Sequence, residues 1–225
     1  MPVFMLGEKI IFPDPNEAEE AGLLGIGGDL KPERLLLAYK SGIFPWYSED
    51  DPILWFSPNP RLIFELEDYK PGRTLRKVIN SEKYEVRIDT KFEEVMKSCA
   101  EISRTHQSGT WITGEMIAAY TRLYELGYAH SFETFYNDEL VGGLYGVSLG
   151  GAFFGESMFH SKKDSSKVAF HHLVLKCREY NFDFIDSQVP TEHMRQLGCV
   201  EINRNLFLKR LKNALLKDTV KGHWK

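Results

Sequence analysis

The run Asp186-Ser187-Gln188 sets a carboxylate and an amide two residues apart, among the apolar Phe182, Phe184, Ile185 and Val189. Alternate residues of a strand share a face, so Asp186 and Gln188 are expected to point the same way, roughly 6.5–7 Å apart. Such a pair can hold and orient an incoming amine. A polar pair that only ends a strand is the plainer alternative, although strand ends carry functional groups in many α/β folds. Glu156 is a lone acid within Phe153-Phe154-Gly155-Glu156-Ser157-Met158-Phe159. Gly155 and Ser157 flank it with small side chains that leave room for a ligand or another backbone. Buried alone, the carboxylate would be costly, so it must find a partner, line a cleft or face solvent. Trp46 and Trp111 fall near turns, where an indole can stack on a nucleotide base or simply anchor packing. Arg73, Arg76, Lys77 and Asn80 recur at helical spacing opposite Leu75, Val78 and Ile79. That stripe suits phosphate contact, and it also suits an ordinary solvated helix face.

Other chemistries are excluded by what the chain lacks. Gly25-Ile26-Gly27-Gly28 is not a dinucleotide fingerprint, and there is no Walker loop. His171 and His172 are adjacent and face different directions on a helix, and no His or Cys stands at metal-ligand spacing. Ser157 and Ser187 lack a nucleophile-elbow context. No metal or cofactor is therefore expected. The net charge of −4 is not that of a protein that coats nucleic acid, so any such contact must be local. Cys99, Cys177 and Cys199 are too few and too scattered for a disulfide framework, which fits a reducing cytosol. The segment Met1–Ile11 carries Glu8 and Lys9 and does not read as a signal peptide, and no run approaches a membrane span. A soluble cytoplasmic protein is expected, and a monomer, since no coiled coil or apolar interface can be read.

These residues need elements to position them. The first sixty residues are punctuated by Pro13, Pro15, the Gly25–Gly28 cluster, Pro45, Pro52, Pro58 and Pro60. They predict a small domain, residues 1–60, with little regular structure beyond a helix after Pro32 that shows Leu35, Leu36, Ala38 and Tyr39 on its apolar face and stops at Gly42. Residues 61–225 alternate. Leu75, Val78 and Ile79 predict a short helix. Tyr84, Val86 and Ile88 predict a half-buried strand. Phe92, Val95, Met96, Cys99 and Ile102 predict a helix, as do Ile117, Tyr120, Leu123 and Tyr124, ended by Gly127. Strands over His130–Tyr136, Leu140–Leu149 and Ala152–Phe159 are joined at Asn137-Asp138 and Gly150-Gly151, both good hairpin turns. A helix capped by Ser165 or Ser166 runs to about Tyr180, followed by a strand over Phe182–Gln188, a short helix over Thr191–Leu197 and a last helix over Arg204–Leu216. This order predicts an α+β fold, a mixed sheet with helices on both faces, in which neighbouring strands of the unit from Ala152 to Gln188 must be parallel.

Taken together, several segments resemble the leucyl/phenylalanyl-tRNA–protein transferase family: Gly22-Leu23-Leu24, Gly27-Gly28-Asp29-Leu30, Gly42-Ile43-Phe44-Pro45-Trp46, Pro52-Ile53-Leu54-Trp55-Phe56-Ser57-Pro58, Gly109-Thr110-Trp111-Ile112-Thr113, Glu139-Leu140-Val141-Gly142-Gly143-Leu144-Tyr145-Gly146-Val147, Gly155-Glu156-Ser157-Met158-Phe159 and Ile185-Asp186-Ser187-Gln188. They follow family order over nearly the whole chain. The resemblance implies a small N-terminal α/β domain beside an acetyltransferase-like (GNAT-like) catalytic domain. It implies transfer of Leu, Phe or Met from aminoacyl-tRNA to proteins beginning with Arg or Lys, which marks them for the N-degron route. The ester is already activated, so neither ATP nor a metal is needed. On this reading Asp186 polarises and fixes Gln188, and either only positions it or also accepts the amine's proton, directly or through water; Gln188 orients the amine, and Glu156 helps place the amine or the acceptor's cationic side chain. Leu144, Phe153, Gly155, Met158, Leu173 and Ile185, with Ser157 beside them, would form an apolar side-chain pocket. Trp46 and Trp111 become candidates for the tRNA terminal adenosine, and Arg73, Arg76 and Lys77 for acceptor-stem phosphates. This chain departs from the family pattern at Ser187, where Cys is common, at Leu173 and Cys177, where aromatics are common, at Thr191, where Asn is common, and at His160 and Gly222-His223-Trp224. An acyl-CoA N-acetyltransferase is the main competitor by fold, but Ser161-Lys162-Lys163-Asp164-Ser165-Ser166 lacks the glycines of a pyrophosphate loop. A tRNA- or degron-binding module without turnover would not need Asp186 and Gln188.

Overall fold

The computed structural model describes residues 3–67, 69–101 and 111–225. Ile102, Gly109 and Thr110, used above for a helix and a motif, lie outside the described residues. Two sheets divide the chain. The first holds β1 (Phe4–Leu6), β2 (Leu23–Gly27), β3 (Phe44–Pro45) and β4 (Leu54–Phe56) in the order β1-β2-β4-β3, with α1 (Pro32–Lys40) beside it. The amino-terminal part is thus more regular than its proline and glycine content predicts. Short strands escape a periodicity test because two to five residues hold too few repeats to register.

The second sheet is seven-stranded and mixed. Its strands are β5 (Arg61–Glu65), β6 (Glu85–Ile88), β7 (Ala129–Tyr136), β8 (Glu139–Leu149), β9 (Ala152–His160), β10 (Phe184–Gln188) and β11 (Val200–Ile202), in the order β11-β5-β10-β9-β8-β7-β6. The helices are α2 (Arg73–Asn80), α3 (Phe92–Glu101), α4 (Gly114–Glu125), α5 (Ser165–Glu179), α6 (Glu192–Leu197) and α7 (Arg204–Ala214). The antiparallel run β7-β8-β9 follows the expected hairpins, and Asn137 and Asp138 take the positive φ values, 52° and 61°, that a primed turn demands. β9 and β10 are parallel, as the crossover through α5 requires. Strands β5 and β11 are additions to the expected order, and they flank β10 on its far side.

Helix ends follow local chemistry. Thr113 caps α4 by accepting from Met116 N at 3.2 Å, and Asn203 caps α7 by accepting from Leu206 N at 2.8 Å. The cap of α5 differs from expectation: Asp164, at φ 64°, occupies the position, while Ser165 lies inside the helix and turns its hydroxyl onto the Val141 carbonyl at 2.7 Å. A Cβ on Gly142 would collide with Ser165, so this close helix–sheet contact depends on that glycine. One apolar cluster joins Tyr39 and Ile43 of the first part to Phe154, Phe184 and Phe207 of the second, so the two sheets share a core. A second cluster, containing Leu144, Phe153, Leu173 and Ile185, lies with α5.

Candidate active site

The parallel pairing of β9 and β10 runs from Ala152/Phe184 to Phe154/Asp186 and stops there. Both strands bulge just beyond. On β9, Tyr145 and Gly146 of β8 face Ser157 and Gly155, so Glu156 is the extra residue. On β10, Ile63 and Leu62 of β5 face Asp186 and Gln188, so Ser187 is the extra residue. A bulge interrupts strand alternation and re-aims side chains. That overturns the expectation that Asp186 and Gln188 share a face by simple alternation. Gln188 lies at φ 54°, a left-handed conformation uncommon for a residue with a Cβ.

The three polar groups meet in a different way. Asp186 is fully buried and forms a forked ion pair with the equally buried Arg61, Nε to Oδ1 at 2.9 Å and Nη2 to Oδ2 at 2.6 Å. Arg61 also donates to the Gly42 carbonyl at 3.1 Å, and its guanidinium lies 4.4 Å from the Phe207 ring centre and 5.0 Å from that of Phe44. Asp186 Oδ1 takes a further bond, at 3.0 Å, from the backbone N–H of Gln188. Asp186 therefore holds the Gln188 backbone in its bulge and does not polarise the side-chain amide. With both oxygens committed to a guanidinium, it does not fit the expected part of proton acceptor.

Glu156 is the hub of the second group. Its Oε1 accepts from Tyr39 at 2.7 Å and from Gln188 Nε2 at 3.3 Å, and its Oε2 accepts from Tyr120 at 3.3 Å. The Tyr39 and Tyr120 hydroxyls also touch each other in a short contact. Although the residue as a whole is half-buried, burial around its carboxyl pushes it up from 4.5 to about 7. The two tyrosine hydroxyls pull the other way, the Asp186 charge adds to the rise, and Arg61 offsets part of it. The tyrosines respond in kind: burial and the neighbouring Glu156 charge drive both phenols well above their ordinary value. With Gln188 Nε2 engaged by Glu156, the amide oxygen is the acceptor left for a ligand.

Arg61, Tyr39 and Tyr120 were not singled out from the sequence. Tyr39 and Tyr120 sit within the apolar faces of α1 and α4, where a tyrosine scores as core. Arg61 follows the Pro58-Asn59-Pro60 turn. The one available signal was that a buried acid demands a partner.

Leu144, Phe153, Leu173 and Ile185 do come together, all buried in one cluster with Met158 at its edge. A Cβ on Gly155 would meet only Asp186 O at 3.7 Å and Ile185 Cγ2 at 3.9 Å, so space remains beside it. His193 of α6 approaches the Met158 sulfur at 3.2 Å. Ser157 is half-buried, opposite Tyr145 in the ladder. Trp46 and Trp111 are both partly buried at the margin of the shared core, Trp46 edge-on to Phe56 with centroids 5.6 Å apart. Arg73, Arg76 and Lys77 are exposed along α2, whose Leu75, Val78 and Ile79 pack toward Tyr84, Val141 and Val168. Among the described residues no cluster of His, Cys, Asp and Glu could hold a metal ion, and no helix is long and apolar enough to cross a membrane.

A mixed sheet whose two central parallel strands part beside a carboxylate, an amide and paired tyrosines defines an α/β protein with a candidate acid–base site where those strands separate. The chain belongs to the leucyl/phenylalanyl-tRNA protein transferase family: the family model matches residues 63–212 and the model of its N-terminal domain residues 28–59. A leucyl/phenylalanyl-tRNA–protein transferase of Anaeromyxobacter sp. (strain Fw109-5) is 52% identical over 224 residues, 100% of this chain and 95% of that protein. One of Sulfurimonas denitrificans is 53% identical over 207 residues, 92% of this chain and 90% of that protein. Among solved structures, that of L-PGS from Bacillus licheniformis has a TM-score of 0.43 at 13% identity, covering 86% of this chain and 72% of that one, too distant to support an argument.

Proposed function

We propose that this protein transfers leucine, phenylalanine or methionine from aminoacyl-tRNA to the α-amine of proteins that begin with Arg or Lys, tagging them for the N-degron route. Whole-length similarity to proteins of that name supports the transfer, and the hydrogen bond from Gln188 Nε2 to Glu156 is the observation that gives it a mechanism. The Gln188 amide oxygen accepts an N–H of the incoming amine. The amine nitrogen attacks the ester carbonyl, the C–N bond forms and the bond to the ribose oxygen breaks. Glu156, poised near neutrality, takes the proton that the amine loses, and a proton returns to the ribose oxygen as it leaves. Asp186 and Arg61 are positioning residues that set the Gln188 backbone. Holding amine and ester together can supply about 7–11 kcal/mol in favourable cases, so placement carries much of the rate.

The apolar residues Leu144, Phe153, Met158, Leu173 and Ile185 line the aminoacyl side-chain pocket beside Gly155 and Ser157. Trp46 and Trp111 receive the terminal adenosine, and Arg73, Arg76 and Lys77 meet acceptor-stem phosphates. In this reading residues 1–60 form the smaller domain, residues 61–225 are an acetyltransferase-like (GNAT-like) domain that uses no CoA, and the enzyme works as a monomer in the cytoplasm. The test is transfer of labelled Leu and Phe from their tRNAs to a peptide beginning with Arg, with acetyl-CoA and an Ala-initiated peptide as controls. Transfer to the Arg peptide alone is expected. Tight tRNA binding without transfer would replace the enzyme with a binding module, and acetyl transfer would favour the acyl-CoA reaction.

A further inference from the structure

The chain beyond α7 is tied down along its length. Lys217 Nζ donates to Asp183 Oδ1 at 2.8 Å, Thr219 Oγ1 accepts from Gly150 N at 2.9 Å, and Gly222 N donates to the Gly127 carbonyl at 3.2 Å. The tail ends in a latch. Trp224 N donates to Asp89 Oδ2 at 2.7 Å, and His130 Nδ1 lies 2.8 Å from the same oxygen. Asp89 itself is held at φ 56° and accepts from Ser131 N at 2.8 Å through its other oxygen. The His130 ring stacks on the indole, centroids 3.9 Å apart and planes 17° from parallel.

A latch this complete fixes where the indole stands. Trp224 is 2% exposed and belongs to the apolar cluster that holds Leu144, Leu173 and Ile185. Its ring packs against Phe153, at 6.0 Å between centroids, and against Phe132 and Phe182. Phe153 is in turn the ladder partner of Ile185. Phe153 thus neighbours Trp224 through its ring and Ile185 through the ladder. A close-packed interior passes a change of volume on to its neighbours, so whatever backs Phe153 also limits where Phe153 can sit.

We infer that Trp224 is a specificity-determining residue, one that backs Phe153 and thereby fixes the depth of the pocket receiving the aminoacyl side chain. The inference rests on the transfer reaction proposed above. A smaller residue at this position opens space behind Phe153, the ring settles into it, and the larger phenylalanyl side chain gains over leucyl.

The experiment measures kcat/KM for leucyl- and phenylalanyl-tRNA with the full chain and with Trp224→Leu and Trp224→Phe. In parallel, it measures binding of non-hydrolysable amide analogues of leucyl- and phenylalanyl-adenosine. The Phe-to-Leu ratio is expected to rise about tenfold in Trp224→Leu, the scale on which an apolar pocket senses one methylene. A smaller rise is expected in Trp224→Phe, which keeps an aromatic plug and carries the test should the leucine variant not fold. Loss of both substrates in equal proportion, with the ratio unchanged, would overturn the inference. Absence of transfer by the unaltered chain would instead sink the proposed reaction, and the ratio of analogue affinities would still decide the role of Trp224.

Discussion

Glu156 and Asp186 stand on adjacent parallel strands, each beside the point where the β9–β10 ladder ends, yet their surroundings give them opposite characters. Asp186 faces a guanidinium that matches both of its oxygens, at 2.9 and 2.6 Å, with aromatic rings closing around the arginine. Among the described residues, the hydrogen-bond donors to Glu156 are neutral, two phenols and an amide. A fixed positive charge favours an ionised carboxylate, whereas burial among neutral groups penalises it. Of two acids in one site, the first is therefore clamped by its arginine and fixes geometry. The second, pushed up to about 7, can change its protonation at working pH. The chemistry that each can perform is set by its neighbours more than by its own side chain.

The largest expected effect comes from breaking the fixed pair. Arg61→Met leaves Asp186 buried and unpaired and should destabilise the fold by about 3–5 kcal/mol in denaturant titration. The double variant Arg61→Met, Asp186→Leu should regain most of that stability, since buried pairs replaced by apolar groups are often neutral. It should not regain transfer, because the Gln188 N–H loses its acceptor. Recovery of transfer in the double variant would show that the pair does not position Gln188.

Gln188→Gly separates backbone from side chain. Glycine adopts the φ of 54° without strain, so stability should hold or rise slightly while the transfer rate falls about 10²-fold from lost orientation. Equal turnover would remove the amide from the mechanism.

The pH profile sharpens the contrast. If ionised Glu156 takes the proton, kcat should rise with pH through about 7, and Glu156→Gln should be slow and flat across that range. The same shift has a stability consequence. A carboxyl whose folded value is raised from 4.5 to about 7 contributes stability that is fully present below 4.5 and is lost as pH rises through about 7. Glu156→Gln should therefore flatten the stability curve between those limits, which melts at several pH values would reveal. A rate that is flat in the unaltered chain would exclude Glu156 as the base.

The smallest effect is expected from Tyr39→Phe. The Tyr39 hydroxyl favours the ionised form of Glu156, so its removal should move the midpoint of the rate profile upward, with a stability change of only about 1 kcal/mol. A downward move would mean that relief from burial outweighs the lost bond.

Much of this architecture is legible in the residues themselves. The hairpins at Asn137-Asp138 and Gly150-Gly151, the amphipathic α2 and α4, and the crossover from β9 to β10 all follow from turn chemistry and periodicity, because those signals are local. So is the oddity of an acid at position 156 in an apolar strand. What the sequence could not convey is which partners those polar groups would choose. Arg61 meets Asp186 across 125 positions, and Tyr39 meets Glu156 across 117. Such pairings depend on the order in which β5, β10 and β9 are laid side by side, and no local pattern encodes that order. The bulges at Glu156 and Ser187 are likewise settled by the neighbouring strands, since a bulge is a mismatch between two ladders and not a property of one. The sequence alone determined that a carboxylate and an amide would end one strand and that a second carboxylate would sit within another. Only the tertiary structure decided that one acid is locked to an arginine while the other is left to titrate, because the energy of a buried charge is fixed by what is packed against it.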